Sequence, residues 1–198
     1  VDEQVGKVID ALDRSSLRED TIVVLVSDHG YNHGQKDFLF KNSLWEESGR
    51  VPFIIRAPGV AKAGGVADQP VSLVDLYPTL VDLCGLTGDT RKNEKGAPLD
   101  GFSVKPLLLD PESGKWEGPE AALTVIKADR RPSENISQHH YAVRTKRWRY
   151  ILYNNGSEDL YDHDADPLEW TNCAGEPKCR EIKAKLKALL FKMTGRKK

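Results

Sequence analysis

The chain is poor in cysteine. Cys84, Cys173 and Cys179 are the three among 198 residues, too few and too unevenly spaced for a disulfide-stapled scaffold or a zinc site. No apolar run approaches the roughly 18 residues that a membrane-spanning helix needs. An excess of one charge sign is missing as well: the formal net charge is −1, so nothing global points to nucleic acid. There is no internal repeat, no low-complexity tract, no initial methionine and no visible signal peptide. What is there, 39% hydrophobic and 30% charged residues, is ordinary globular composition. Residues 178–198 hold nine Lys or Arg against the single acid Glu181, which reads as a solvated helix face and basic tail. Cys84 falls on the apolar side of a helical pattern and reads as core. Cys173 and Cys179 are spaced to close a short loop if the protein is exported.

Hydrophobic periodicity lays out the elements. Val1, Val5, Val8, Ile9 and Leu12 share one face of a helix over residues 2–14. A β-branched run over 22–27 reads as a buried central strand, 53–57 as a second strand closed by Pro58-Gly59, and 72–83 as a helix stopped at Gly85. Residues 87–118, rich in Gly, Pro, Asp and Lys, read as a surface excursion in which only 104–109 is apolar enough to pack. Strands follow at 123–126, 140–145, 148–153 and 158–161, with the turn Asn154-Asn155-Gly156-Ser157 before the last. Ile182, Leu186, Leu189, Leu190 and Met193 then recur at helical spacing. The pattern predicts an α/β unit over 1–118 and a small α+β unit over 119–198. Because the chain opens inside a helical pattern, it reads as the carboxyl-terminal part of a longer protein.

Chemistry concentrates in residues 27–59. Asp28, His29 and Gly30 follow the first strand directly, at the end where open α/β sheets place their ligand crevices. A carboxylate buried there is costly unless a cation or hydrogen bonds compensate it. Calcium, which takes roughly six to eight ligands, suits such a position, although imidazole is not a favoured calcium ligand. The alternative is a simple polar turn. Lys41, farther along the loop, reads by itself as a solvated loop lysine. Glu46 can pair with Lys41 or Arg50, or simply pin the loop, and Lys36 and Asp37 shape it. His139, His140, Arg144 and the run Lys146-Arg147-Trp148-Arg149 are either a solvated hairpin or a surface for an anionic group.

Asp28-His29-Gly30, Lys41, Trp45-Glu46-Glu47-Ser48, Arg50-Val51-Pro52, residues 71–80 and 99–103, Leu160-Tyr161-Asp162-His163 and Asp166-Pro167 together resemble the type I sulfatases of the alkaline phosphatase superfamily. Within them the wording is most similar to iduronate-2-sulfatase-like enzymes, which carry Asp-His where arylsulfatases usually carry Asp-Asn. The resemblance implies part of an alkaline-phosphatase-like layered sheet domain plus a small carboxyl-terminal antiparallel sheet with one helix. It implies a sulfuric ester hydrolase acting on sulfated sugars or other sulfate esters, exported to the periplasm, the extracellular space or a lysosome. By that resemblance Lys41 and His29 are expected at catalytic positions, Asp28 and His29 around one calcium ion, and Lys41 and His33 at the substrate, with His140 of the hairpin a further substrate candidate. His33 lies one place beyond the family's usual histidine, where this chain has Asn32. The family's Cys-x-Pro-x-Arg or Ser-x-Pro-x-Arg signature, the source of the formylglycine nucleophile, does not occur in this chain. By that resemblance the upstream part of the same protein supplies it and is the partner of this one, and the fragment alone is inactive; neither nucleic acid nor a membrane span is expected. The competing expectations are a phosphodiesterase or phosphonate hydrolase of the same superfamily, and a non-catalytic sulfoglycan-binding fragment.

Overall fold

Strand alternation and one amphipathic helix organise most of the buried surface. The computed structural model describes residues 1–87, 91, 93–127 and 138–195. Residues 88–90 and 92 of the expected excursion, and 196–198 of the basic tail, lie outside the described residues. Two compact units are present: Val1–Val26, Pro52–Ala67 and Val74–Glu117 form the first, and Ser27–Val51, Asp68–Leu73 and Gly118–Lys198 the second. The units are thus not two consecutive blocks of sequence. The loop expected to carry the chemistry groups with the carboxyl-terminal strands.

In the first unit α1 (Asp2–Asp13) opens with two acids, favourably placed at the positive end of the helix dipole. Strand β1 (Val23–Val26) pairs antiparallel with β2 (Phe53–Arg56), Val24 opposite Ile55. The β-branched runs form strands as their composition predicts, but β1 is not a buried central strand. Leu25, Val26 and Ile54 are exposed, on both faces of a strand that among the described residues has a single strand partner. After a 3-10 turn, α3 (Leu76–Leu83) runs to Gly85, whose φ of 62° makes the left-handed stop. Cys84 sits at the end of this helix and is exposed; the helix terminates before its apolar stripe can turn the thiol inward, which corrects the core assignment.

Helix α3 captures α4 (Lys105–Leu109) through polar contacts. Thr79 is buried and donates its hydroxyl to the Asp75 carbonyl at 2.6 Å while accepting the Val104 N–H at 2.9 Å. The Asp75 carboxylate accepts the Phe102 N–H at 2.8 Å. Asp82 accepts from the Ser103 hydroxyl at 2.7 Å and the Lys105 ammonium at 2.8 Å. The two stretches singled out in the sequence, 71–80 and 99–103, therefore meet each other.

The second unit is an antiparallel meander of β3 (Ala122–Lys127), β4 (His139–Arg144), β5 (Trp148–Leu152) and β6 (Glu158–Asp162). The turn before β6 uses Gly156 at φ 85°, a conformation glycine adopts without penalty. On one face Tyr141, Val143, Tyr150, Leu152 and Leu160 pack with Leu186 and Leu190 of α5 (Arg180–Thr194). Residues of opposite parity, Ala142, Ile151 and Tyr161, face the other way and pack with Leu44 and Trp45. The meander is thus buried on both faces: the expected helix covers one, and the chemistry-bearing loop covers the other. Cys173 and Cys179 are free, buried thiols in the helix-side core, and burial pushes the Cys173 thiol up to about 12. Among the described residues no helix is long and apolar enough to cross a membrane.

Two outcomes follow for the folded chain. Leu190→Ala removes a fully buried side chain and should lower the unfolding free energy by about 2–5 kcal/mol in urea titrations. Of the three thiols, Cys84 should react first with an aromatic disulfide reagent under native conditions, with Cys173 and Cys179 reacting only on unfolding; comparable initial rates for all three would contradict the burial.

Candidate active site

The loop from Ser27 to Val51 is built as a hairpin-like tongue and a one-turn helix. Asn32 donates its N–H to the Phe40 carbonyl at 2.9 Å and Gly34 to that of Phe38 at 3.2 Å. Beyond the inner rung the tip turns through left-handed residues, Gly34 at φ 104° and Lys36 and Asp37 at 56°. Behind the tongue, Asn32 is fully buried. Its Oδ1 accepts the Ser48 hydroxyl at 2.6 Å and lies 2.9 Å from Ser43 Oγ, which is itself 2.8 Å from Ser48 Oγ. Ser48 belongs to α2 (Glu46–Gly49), whose Ser48 carbonyl takes the Gly30 N–H at 3.0 Å. A Cβ at position 30 would stand 2.0 Å from the Glu47 carbonyl oxygen, so the glycine after Asp28-His29 is demanded by close backbone approach.

At the open end of the tongue, Lys41 Nζ lies 2.8 Å from His29 Nε2. His29 Nδ1 is 2.8 Å from the Gly30 carbonyl, so Nδ1 carries the proton and donates, leaving Nε2 with a lone pair that accepts from the ammonium. Ser27 donates its hydroxyl to the His29 carbonyl at 2.8 Å, fixing the backbone on the other side. Asp28 Oδ2 is 3.6 Å from His29 Nε2, and the Asp28 side chain is 87% exposed. The structure therefore brings Asp28, His29 and Lys41 together around one solvent-facing nitrogen. The donor set suits a hard cation in part, with one uncommitted carboxylate and one imidazole nitrogen without its proton.

His33 and His140 lie apart from that cluster in their contacts. His33 is exposed with its ring 5.1 Å from that of Tyr31, and its N–H donates to Gln35 Oε1 at 2.6 Å. His140 packs edge-on to Tyr153, accepts the Asn154 N–H on Nδ1, and is held below its usual range by burial and then by His139. It borders a cleft of about 200 Å³ shared with Asn42, Ser43 and Trp45, below the roughly 300–1,000 Å³ of common ligand clefts. Arg147 is occupied by Asp162 and lies over the Trp148 ring.

Glu46 orients neither Lys41 nor Arg50. It is held instead by Arg144 Nε at 3.0 Å and by a short contact to Arg149 Nη2. Arg149, buried on β5, also reaches Glu169 Oε1 at 2.6 Å and donates to the Leu44 carbonyl at 3.0 Å. Glu169 Oε2 accepts the Glu46 N–H at 2.9 Å, its Oε1 accepts from His163 Nε2 at 2.8 Å, and His163 Nδ1 accepts from Arg144 at 2.9 Å. Glu46, His163 and Glu169 have the donor types of a metal site, but two guanidiniums already neutralise the carboxylates, so the cluster is an ion-pair node. Burial raises the Glu46 carboxyl, yet Arg149 and Arg144 outweigh it and hold the pKa at about 2. Sequence reasoning read Arg149 as part of a solvated hairpin or an anion-facing surface, gave Asn32 no structural role and missed Glu169; the partners of Arg149 and Glu169 lie far off in the sequence.

Residues 33–196 match the family described as N-sulphoglucosamine sulphohydrolase, C-terminal. The chain belongs to this sulfatase family. A relative named sulfatase from Formosa agariphila is 34% identical over 192 residues, covering 97% of this chain and 34% of its own length. A solved structure in complex with its substrate D-glucosamine-2-N,6-O-disulfate superposes with TM-score 0.83 at 28% identity, covering 99% of this chain and 38% of the other. The phosphonate monoester hydrolase of Agrobacterium radiobacter superposes with TM-score 0.80 at 26% identity, covering 98% and 39%. The chain therefore spans little more than a third of the proteins it matches, and the sulfatase fold class expected from the sequence is the observed one.

Arg149→Met leaves Glu46 and Glu169 facing each other without their shared cation and should cost about 3–5 kcal/mol in unfolding experiments. The depressed Glu46 pKa stabilises the native chain fully above its ordinary value of 4.5, and that contribution fades as pH falls toward about 2. Thermal melts from pH 5 to pH 2 should accordingly fall less steeply in Glu46→Gln, after allowance for its lower starting stability.

Proposed function

We propose that the full-length protein containing this chain hydrolyses sulfate esters, R–O–SO3− and water giving R–OH and hydrogen sulfate, with sulfated sugars as the substrate class. The observation that carries this reading is the convergence of Lys41 on His29 at 2.8 Å beside the Asp28 carboxylate, in a chain of the sulfatase family. The relative named sulfatase and the structure solved with a disulfated glucosamine support the substrate class. The Asp28-His29 pairing supports an iduronate-2-sulfatase-like member, and the resemblance supports export to the periplasm, the extracellular space or a lysosome.

Lys41 acts on the ester. On binding it exchanges its hydrogen bond to His29 for one to the ester oxygen, where its charge opposes the negative charge developing on the leaving group, an attraction of about 4 kcal/mol at about 4 Å and intermediate dielectric. That exchange frees the Nε2 lone pair of His29. Asp28 and His29 would be two of the roughly six to eight ligands of a calcium ion, which when bound would supply Lewis-acid polarisation of the sulfate group. The remaining ligands and a formylglycine nucleophile are assigned to sequence outside residues 1–198, as neither formylglycine signature occurs here. His33, exposed beside the tongue, and His140 are assigned to the sugar.

A second reading, hydrolysis of phosphonate monoesters, is favoured by the similarity to the Agrobacterium enzyme. Assay of the full-length protein on 4-nitrophenyl sulfate and on a phosphonate monoester separates the two. Turnover of the sulfate, with Lys41→Ala lowering kcat/KM about 10²–10³-fold at unchanged melting temperature, is the expected result. Turnover of the phosphonate alone would transfer the assignment to the second reading. Binding of a sulfated glycan that survives Asp28→Asn, with no turnover of either ester, would mark a non-catalytic binding module.

A further inference from the structure

Lys36 lies at the far tip of the tongue from His29 and Lys41, and its ammonium is enclosed by aromatic rings. Nζ stands 4.6 Å from the ring centre of Tyr161, 5.2 Å from Trp45 and 5.9 Å from Trp170. It also donates to the Tyr161 hydroxyl at 3.4 Å, and that hydroxyl donates to Asp159 at 3.2 Å. The cation is thus held by ring faces and by a phenol that links it to a carboxylate, the arrangement that aromatic cages use for ammonium ligands. Here the ligand is part of the same chain.

The backbone argues that this contact is under tension. Among the described residues the non-glycine positions with positive φ are Lys36, Asp37 and Glu169. Two are at the tongue tip and the third adjoins Trp170, a wall of the cage. Left-handed backbone at such residues persists only where surroundings enforce it. From the tip the two rungs, Gly34 to Phe38 and Asn32 to Phe40, lead straight to Lys41 on one arm and back toward His29 on the other.

We propose that Lys36 is a positioning residue: its ammonium, locked in the cage of Trp45, Tyr161 and Trp170, anchors the tongue tip to the sheet and so sets the register in which Lys41 meets His29. The inference rests on the sulfatase reading for its kinetic consequence, though not for its structural one. Lys36 does not touch the reacting atoms; it determines where Lys41 stands when charge develops.

The test compares Lys36→Met with Lys36→Arg in the full-length enzyme. Met keeps the length of the stem and removes the cation, while Arg keeps a cation that stacks on the same rings. Hydrogen exchange across residues 32–40 should accelerate in Lys36→Met and remain near wild type in Lys36→Arg. With 4-nitrophenyl sulfate, kcat should fall about fivefold to tenfold in the Met variant with a smaller change in KM, and Arg should restore it to within about twofold. Wild-type protection and kcat in Lys36→Met would overturn the proposal, as would equal losses in both variants. A wild-type enzyme inactive on every sulfate ester would defeat the sulfatase reading instead, and exchange over 32–40 in the two variants would still decide the anchor.

Discussion

The second unit depends on the burial of one arginine. Arg149 comes from a strand that is otherwise apolar, and desolvating a guanidinium is unfavourable unless nearby acceptors and negative charge compensate it. Here the answers come from three places: the Leu44 carbonyl, the Glu46 carboxylate and the Glu169 carboxylate. Each belongs to a segment that has no regular secondary structure of its own or only a single turn. One buried cation therefore fixes the placement of irregular backbone that propensity alone leaves undetermined.

From this follows the asymmetry of the loop that carries Asp28, His29 and Lys41. Its rear is over-determined, by Asn32 with Ser43 and Ser48, by Gly30 against α2, and by Leu44 and Trp45 on the sheet. Its front, where Asp28, His29 and Lys41 face solvent, carries one side-chain hydrogen bond between His29 and Lys41, with the Asp28 carboxylate 3.6 Å from the same imidazole nitrogen. Rigid support with sparsely committed functional groups is what preorganised electrostatic chemistry requires, because the groups need little reorganisation as charge develops.

The meander, its turn at Gly156 and α5 were legible in the sequence because their determinants are local: alternation at 140–152, a turn cluster at 154–157 and helical spacing from Ile182 to Met193. Asp28, His29 and Lys41 were singled out for a different reason, the resemblance of a contiguous segment, and the structure brings their side chains together. What stayed hidden was non-local. Asn32 reads as a loop polar residue yet is fully buried, and nothing near it announces Ser43 and Ser48 as partners. Glu46 offered Lys41 and Arg50 as neighbours, while its real partners lie 98 and 103 positions away. The burial expected of β1 failed for the same reason: composition reports that a strand is apolar, but not which faces will be covered. Cys84 failed at a helix end, where a shift of one residue decides between core and solvent.

The long reach of these contacts also orders events during synthesis. Glu46 and its anchor Glu169 are 123 positions apart, and Lys36 and Tyr161 are 125 apart. At a typical elongation rate of roughly 5–20 residues per second, Asp28, His29 and Lys41 leave the ribosome several seconds or more before the strands that shape them have been made. Throughout that interval the tongue has no cage, no buried arginine and no sheet to lie on. The candidate segment is consequently among the first parts of this chain to be translated and among the last to acquire its form, which makes the arrival of Tyr161 and Glu169, rather than local folding, the event that shapes it.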